Sequence, residues 1–305
     1  MKIYVAGHKG LVGSAIVRAI ESEGKHEWIG QTRAELDLLD RKAVFEYLAQ
    51  EKPDAVVIAA AKVGGIQANN TFPVDFLSQN LQIETNLMDG AHEAGISKLL
   101  FLGSSCVYPK MAQQPIKEEY LLTGELEKTN EAYALAKISG LKLVQAYRKQ
   151  HGHRWISAMP TNMYGPGDNF DLENSHVLPA MIRKFHDAKM SRADSVTLWG
   201  TGTPRREFLH SDDLGRACLF LLDNHDADVA INVGVGEDIS IRELAELIQN
   251  IVGFQGSIEW DSSKPDGTPR KLLDISKVKA LGWEPKISLE DGIQSTYRWF
   301  QSTLV

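Results

Sequence analysis

From residue 1 to about residue 160, short β-rich runs alternate with stretches whose apolar residues recur at helical spacing. Strands are predicted over residues 3–6, 27–31, 55–60, 99–102 and 155–159. Between the first two, Leu11, Val12, Ala15, Ile16, Ala19 and Ile20 form one apolar face, and Arg18, Glu21 and Glu23 stay on the wet side. That is a βαβ unit. After Pro160 the texture changes to Pro, Gly and Asn punctuation, followed by a predicted helix over 177–188. A helix over 212–222 and a strand over 230–233 bring the chain back to the sheet before a last excursion. In that excursion Ser240-Ile241-Arg242-Glu243 opens a helix with a capping box, and another helix fits 289–300.

The pattern predicts an α/β protein: a Rossmann-type doubly wound parallel sheet with a smaller C-terminal α/β substrate domain. Residues 1–162 plus 209–234 are assigned to the first part, and 163–208 plus 235–305 to the second. Composition agrees with a globular chain long enough for two cores sharing a cleft, since 43% of the 305 residues are hydrophobic and 24% charged. The net charge of -7, with scattered basic residues, leaves no electrostatic footprint for nucleic acid or an anionic membrane. The apolar run 55–61 is too short to span a bilayer, and a strand at 3–6 leaves no room for a cleavable presequence. Two cysteines, Cys106 and Cys218, make neither a disulfide framework nor a metal motif, so a reducing cytoplasmic setting without a metal is expected.

Gly7-His8-Lys9-Gly10-Leu11-Val12-Gly13 stands where the first strand turns into the first helix. Glycines there permit a tight turn and let the backbone approach a pyrophosphate at the helix N-terminus. The spacing is G-x-x-G-x-x-G, and its strand-to-helix context favours dinucleotide binding over a packing turn. A binder of NAD usually ends its second strand on an acidic side chain; this chain has Gln31-Thr32-Arg33. Arg33, with Lys9, can pair with a 2′-phosphate, which favours NADP(H); the alternative is a solvated loop arginine. Asp37-Leu38-Leu39-Asp40 is expected along the adenine.

Tyr133-Ala134-Leu135-Ala136-Lys137 places a phenol and an ammonium one helical turn apart. A nearby cation is expected to lower the phenol's pKa and make it a usable proton donor to a carbonyl. Such a pair occurs by chance in many helices. Here it follows a glycine-loop βαβ unit and a fourth strand ending Gly103-Ser104-Ser105-Cys106.

With these features the chain resembles the extended short-chain dehydrogenase/reductase family, and within it the branch that epimerises and reduces a GDP-4-keto-6-deoxy-hexose. The resemblance is carried by Ala59-Ala60-Ala61-Lys62-Val63-Gly64-Gly65-Ile66, by Leu102-Gly103-Ser104-Ser105-Cys106-Val107-Tyr108-Pro109-Lys110 and by Pro160-Thr161-Asn162-Met163-Tyr164-Gly165-Pro166. Two later segments add to it, Asn174-Ser175-His176-Val177 and Lys264-Pro265-Asp266-Gly267-Thr268-Pro269-Arg270-Lys271. It implies a Ser104, Tyr133 and Lys137 triad beside the nicotinamide, and Cys106 and His176 as an acid/base pair for epimerisation. Taken alone, Cys106 reads as a small buried hydrophobe and His176 as a helix-start histidine; their places in the matching segments reverse that. Cys218, on an apolar helix face, is assigned to the core.

The resemblance further implies that the cofactor is lined by the glycine loop, Arg33, Leu38, Leu102, Gly103, Ser104, Ser105, Lys137, Pro160, Thr161, Asn162, Met163 and His176. It implies Lys184, Trp199, Arg206 and Asp266 for the GDP-sugar, with Asn162 and Arg270 as neighbours, and a homodimer. Trp199 as core and Lys184 as a wet helix face are the alternatives. Two other functions stay open at this point. One is a sugar-nucleotide 4-epimerase or 4,6-dehydratase that recycles its nicotinamide, although those dehydratases carry Thr-Asp-Glu where this chain has Ser104-Ser105-Cys106. The other is an NADP-sensing regulator, against which the intact triad argues.

Overall fold

A computed structural model describes residues 1–172, 175–264 and 266–304. Asn174 and Pro265, quoted above in matching segments, lie outside them. The chain opens with β1 (Lys2–Ala6), α1 (Leu11–Glu23), β2 (Glu27–Ile29), α2 (Arg41–Glu51), β3 (Ala55–Ile58), α3 (Ile66–Thr71), α4 (Asn80–Glu93), β4 (Lys98–Leu102), α5 (Glu131–His151) and β5 (Arg154–Pro160). There follow β6 (Asn162–Tyr164), α6 (Val177–Ser191), β7 (Ser195–Trp199), β8 (Arg205–Arg206), β9 (Phe208–His210), α7 (Ser211–Asn224) and β10 (Ile231–Val233). The last elements are β11 (Ile239–Ser240), α8 (Ile241–Val252), β12 (Ser257–Asp261), β13 (Arg270–Lys271), α9 (Ser276–Ala280) and α10 (Leu289–Ser302).

Six strands form one sheet in the order β10-β5-β4-β3-β1-β2, and every pairing in it is parallel. The sheet is the doubly wound one expected from the sequence. Its order reverses between β1 and β3, and ligands of such sheets bind at that switch point beyond the strands' carboxyl ends. All four residues of β3 are buried, because a central parallel strand is covered on both faces. Helices α1 and α7 cross closely: Gly215 faces the Ala15 carbonyl where a side chain would not fit. The two strands predicted to be longer stop early. β2 ends at Ile29 rather than residue 31, and β3 at Ile58 rather than residue 60. Just past the second stop the glycine loop comes close, since a Cβ on Gly7 would lie 2.8 Å from Ala60.

Two apolar cores are separate. One holds the large sheet with α1, α2, α4, α5 and α7, and also Leu273, Ile275, Val278 and Trp283 from near the C-terminus. The other gathers α6, α8 and α10 around Phe185, Leu244, Ile248 and Phe300. Ser240 caps α8 with the expected box, Glu243 answering to the Ser240 backbone. Small strands sit between the cores: β8 pairs with β11 and β13, and β6 with β9.

Candidate active site

The glycine loop is shaped by two close approaches. Gly7 has φ +86°, and a Cβ on Gly13 would overlap the Gly7 backbone. Gly10 N–H closes the turn on the Gly7 carbonyl at 2.9 Å, and as N-cap of α1 it offers no side chain. The first-turn N–H groups therefore point out of the helix end, which is the donor set a pyrophosphate needs. A dinucleotide fits this cradle. His8 lies in it with Nδ1 buried and without a hydrogen-bond partner among the described residues. Burial and the neighbouring Lys9 lower its pKa.

The turn after β2 explains why no acidic group is free there. Glu35 accepts hydrogen bonds from the Thr32 N–H at 2.8 Å and the Thr32 hydroxyl at 2.7 Å, which hold its carboxyl below the usual range. Arg33 projects from this turn into solvent, as does Lys9 from the facing loop. Leu38 is half-buried nearby, its carbonyl taking the Asn86 amide at 2.9 Å.

Across the switch point, β4 ends at the buried Leu102, and Gly103 N–H bonds the Ala158 carbonyl at 2.8 Å. Ser104 then caps a single turn, Ser105–Val107, its Oγ accepting the Cys106 N–H at 3.2 Å. Tyr133, on the first turn of α5, faces the same place and is hydrogen-bonded by Ser104. Here one expectation is corrected. Lys137 does not lower the Tyr133 pKa; burial raises it, with Cys106 and then Glu84 adding to the rise and only Ser104 opposing. The physical reason is that the Lys137 ammonium is engaged elsewhere, 2.9 Å from Glu84 Oε1.

Cys106 is half-buried, with the Lys271 ammonium donating to its sulfur at 3.6 Å. Arg206, on β8, is largely buried, which lowers its pKa, with the neighbouring Asp266 opposing. His176 is the N-cap of α6 and solvent reaches it, yet it stands deep enough in the cleft that its charged form is disfavoured. Burial and then Lys271 lower its pKa. Lys271 thus links the proposed acid and base. Cys218, by contrast, is fully buried and its thiol is pushed up to about 12 by desolvation.

Pro160, Thr161, Asn162 and Met163 run between the two cores. Thr161 N–H bonds the Val233 carbonyl at 3.1 Å, and Asn162 Nδ2 bonds the Glu207 carbonyl at 2.7 Å. Trp199 ends β7 and is 55% exposed, which removes the reading of it as core. Lys184 and Lys264 stand 5.9 and 5.5 Å from its ring centre, although Lys184 Nζ also bonds the Thr197 carbonyl at 3.0 Å. Asp266 is exposed and accepts from the Thr201 N–H at 2.7 Å and hydroxyl at 2.9 Å.

Three residues of this region were not singled out from the sequence. Lys271 was quoted in a segment without a place in the site. Glu84 shares the buried stripe of α4 with Asn80, Leu87, Met88 and Ala91, and a carboxylate on such a stripe is a usable signal. Glu207, fully buried beside Arg206, had no local signature.

The profile of the NAD dependent epimerase/dehydratase family matches residues 3–234. GDP-L-fucose synthase 1 of Arabidopsis thaliana is 59% identical over 98% of this chain and 93% of its own length. GDP-L-fucose synthase of Escherichia coli is 53% identical over 98% of this chain and 96% of its own length. The crystal structure of a GDP-L-fucose synthetase from Naegleria fowleri bound to NADP superposes with a TM-score of 0.92 at 31% identity, covering 99% of this chain and 93% of that one.

Proposed function

From membership of the NAD dependent epimerase/dehydratase family, to which this chain belongs, we propose NADPH-dependent 3,5-epimerisation and 4-keto reduction of GDP-4-keto-6-deoxy-mannose to GDP-L-fucose. One observation carries it. The Tyr133 hydroxyl is acted on by both Ser104 and Cys106, and Lys271 stands at the Cys106 sulfur and acts on His176. A 4-epimerase or dehydratase needs no second acid and base around a cysteine.

The chemistry follows from the C4 ketone, which acidifies the hydrogens on C3 and C5. Lys271, with its ammonium at the Cys106 sulfur, favours the thiolate, which takes one of these protons and is left as the neutral thiol. Negative charge then develops on the C4 oxygen, where the Ser104 and Tyr133 hydroxyls donate. His176 delivers a proton to the opposite face; its lowered pKa makes the protonated ring a stronger acid. When bound, NADPH supplies the reducing equivalent to C4. Tyr133 gives its proton to the same oxygen.

The glycine loop, Arg33 and Lys9 hold the cofactor, with Leu38 along the adenine and Leu102 to Ser105, Lys137, Pro160 to Met163 and His176 lining the remainder. Trp199 offers its exposed face to the base, Lys184 and Arg206 meet the diphosphate, and Asp266 accepts hydroxyls. We further propose a cytoplasmic homodimer; the free state of both cysteines supports the reducing compartment, and the dimer rests on the family resemblance.

The test is incubation with GDP-4-keto-6-deoxy-mannose and NADPH. Absorbance should report one NADPH oxidised per GDP-L-fucose formed. Turnover without net NADPH loss would favour an epimerase or dehydratase, and no turnover would overturn the reading.

A further inference from the structure

Beside Tyr133 lies a charge pair whose carboxylate, Glu84, the reaction above does not use. Glu84 on α4 and Lys137 on α5 are both buried, and Oε1 stands 2.9 Å from Nζ. Apart from this pairing, the two Glu84 oxygens have no hydrogen-bond donor among the described residues. The ammonium lies 4.6 Å above the Phe101 ring and 6.0 Å from the Tyr133 ring centre. Space for the carboxylate comes from Gly140, where a Cβ would lie 2.8 Å from Oε2. A buried ion pair is weak evidence for stability, because desolvation offsets its attraction and an apolar pair of equal volume often does as well. Its place beside the proton donor points to another role.

We propose that Glu84 is a positioning residue for the donor tyrosine: it holds the Lys137 ammonium away from Tyr133, and its own charge keeps the phenol loaded with its proton, until the cofactor draws Lys137 off. The proposal rests on reading Tyr133 as the proton donor. The groups that act on Tyr133 are Glu84 from α4 and Cys106 and Ser104 from the loop after β4. On its own helix the neighbouring charge is Lys137. Farther along α4, Asp89 and Glu93 face Tyr147 instead. Burial raises the Glu84 carboxyl and Lys137 pulls it back down, as a pair sharing one pocket requires.

The experiment reads the tyrosine directly, without substrate. Tyrosinate absorbance is followed against pH, and subtracting the Tyr133→Phe protein isolates Tyr133. In Glu84→Gln the onset should move to lower pH, because a negative charge is gone and Lys137 is free to approach. Glu84→Asp keeps the charge and should keep the wild-type onset even where its stability falls. Adding NADP+ to the wild type should move the onset in the same direction as Glu84→Gln. An onset equal in wild type and Glu84→Gln would overturn the proposal, and so would an equal shift in the Gln and Asp variants, which would mean packing alone. An onset that NADP+ leaves unmoved would overturn the release of Lys137. Should Glu84→Gln not fold, Glu84→Gln/Lys137→Met is compared with Lys137→Met, and the double variant must titrate lower. Because no turnover enters these readings, they fail or succeed separately from the proposed reaction.

Discussion

Replacing Glu207 by glutamine changes one atom and tests how the two cores hold the catalytic cleft between them. The carboxylate is fully buried. Its Oε1 accepts the N–H groups of Val235 at 2.6 Å and Gly236 at 2.7 Å, and Oε2 accepts that of Leu273 at 3.0 Å. The residue therefore ties β8, the loop after β10 and the segment after β13 into one knot, next to Arg206 and two residues from Lys271. Glutamine keeps the oxygen shared by Val235 and Gly236 but turns an NH2 toward the Leu273 N–H. One charge-assisted bond is lost, worth roughly 1.5–3 kcal/mol, and a buried donor is left facing another donor. Relief from burying a charge offsets part of this, so the net loss should be about 2–4 kcal/mol near neutral pH. At about 2 °C per kcal/mol for a chain of this size, Tm should fall by roughly 4–8 °C. The pH dependence has a definite sign. Burial raises the Glu207 carboxyl, with the three N–H groups pulling back, so the folded protein binds its proton more tightly than the unfolded chain. Wild-type stability relative to Glu207→Gln is then greatest at low pH and declines as pH rises from the unfolded carboxyl range through the folded value. Urea unfolding and calorimetry across pH provide the assay. An unchanged urea midpoint and Tm would refute the reasoning.

Arg33→Ala should raise the NADPH KM about ten- to a hundredfold and leave NADH use little changed, since the exposed guanidinium has no partner of its own among the described residues; equal effects on both cofactors would remove it as the phosphate reader. In deuterated water without NADPH, wild-type protein should exchange deuterium into C3 and C5 of the substrate, and Cys106→Ala should not; exchange at the wild-type rate would return Cys106 to a structural role. Asp168 is raised to about 7 by burial, against the Asn169 N–H, and its Oδ2 has no partner among the described residues. Wild-type stability should fall as pH rises from about 4 to about 7, and Asp168→Asn should flatten that slope. Allowing for a half-exposed side chain, the gain above neutrality is about 1–2 kcal/mol, and parallel urea midpoints at about pH 5 and about pH 8 would count against it.

The large sheet was legible because each of its features is local. Alternation of short apolar runs with helical stripes gave the strands, and the glycine spacing gave the first turn. Bounds were missed where the reason was not local. β3 stops at Ile58, where Gly7, distant in sequence, comes so close to Ala60 that a side chain on it would not fit. The association of Leu273, Ile275, Val278 and Trp283 with the first core is likewise a long-range choice that no window of residues carries.

The site divides along the same line. Ser104, Cys106, Tyr133 and His176 stand in short motifs, so their types and spacing could be read; in the structure Cys106 acts on Tyr133, and Lys271 acts on both Cys106 and His176. What the motif could not give was the electrostatics. One helical turn between Tyr133 and Lys137 promises a cation beside a phenol, and that promise holds only if nothing else competes for the cation. Glu84 does compete, from another helix, and a buried carboxylate 2.9 Å away dominates a ring 6.0 Å away. The same holds for Cys106, whose cation is Lys271, far along the chain. The side chains proposed to carry the chemistry are fixed by local sequence here, and the charges that tune them arrive from distant elements through burial and pairing.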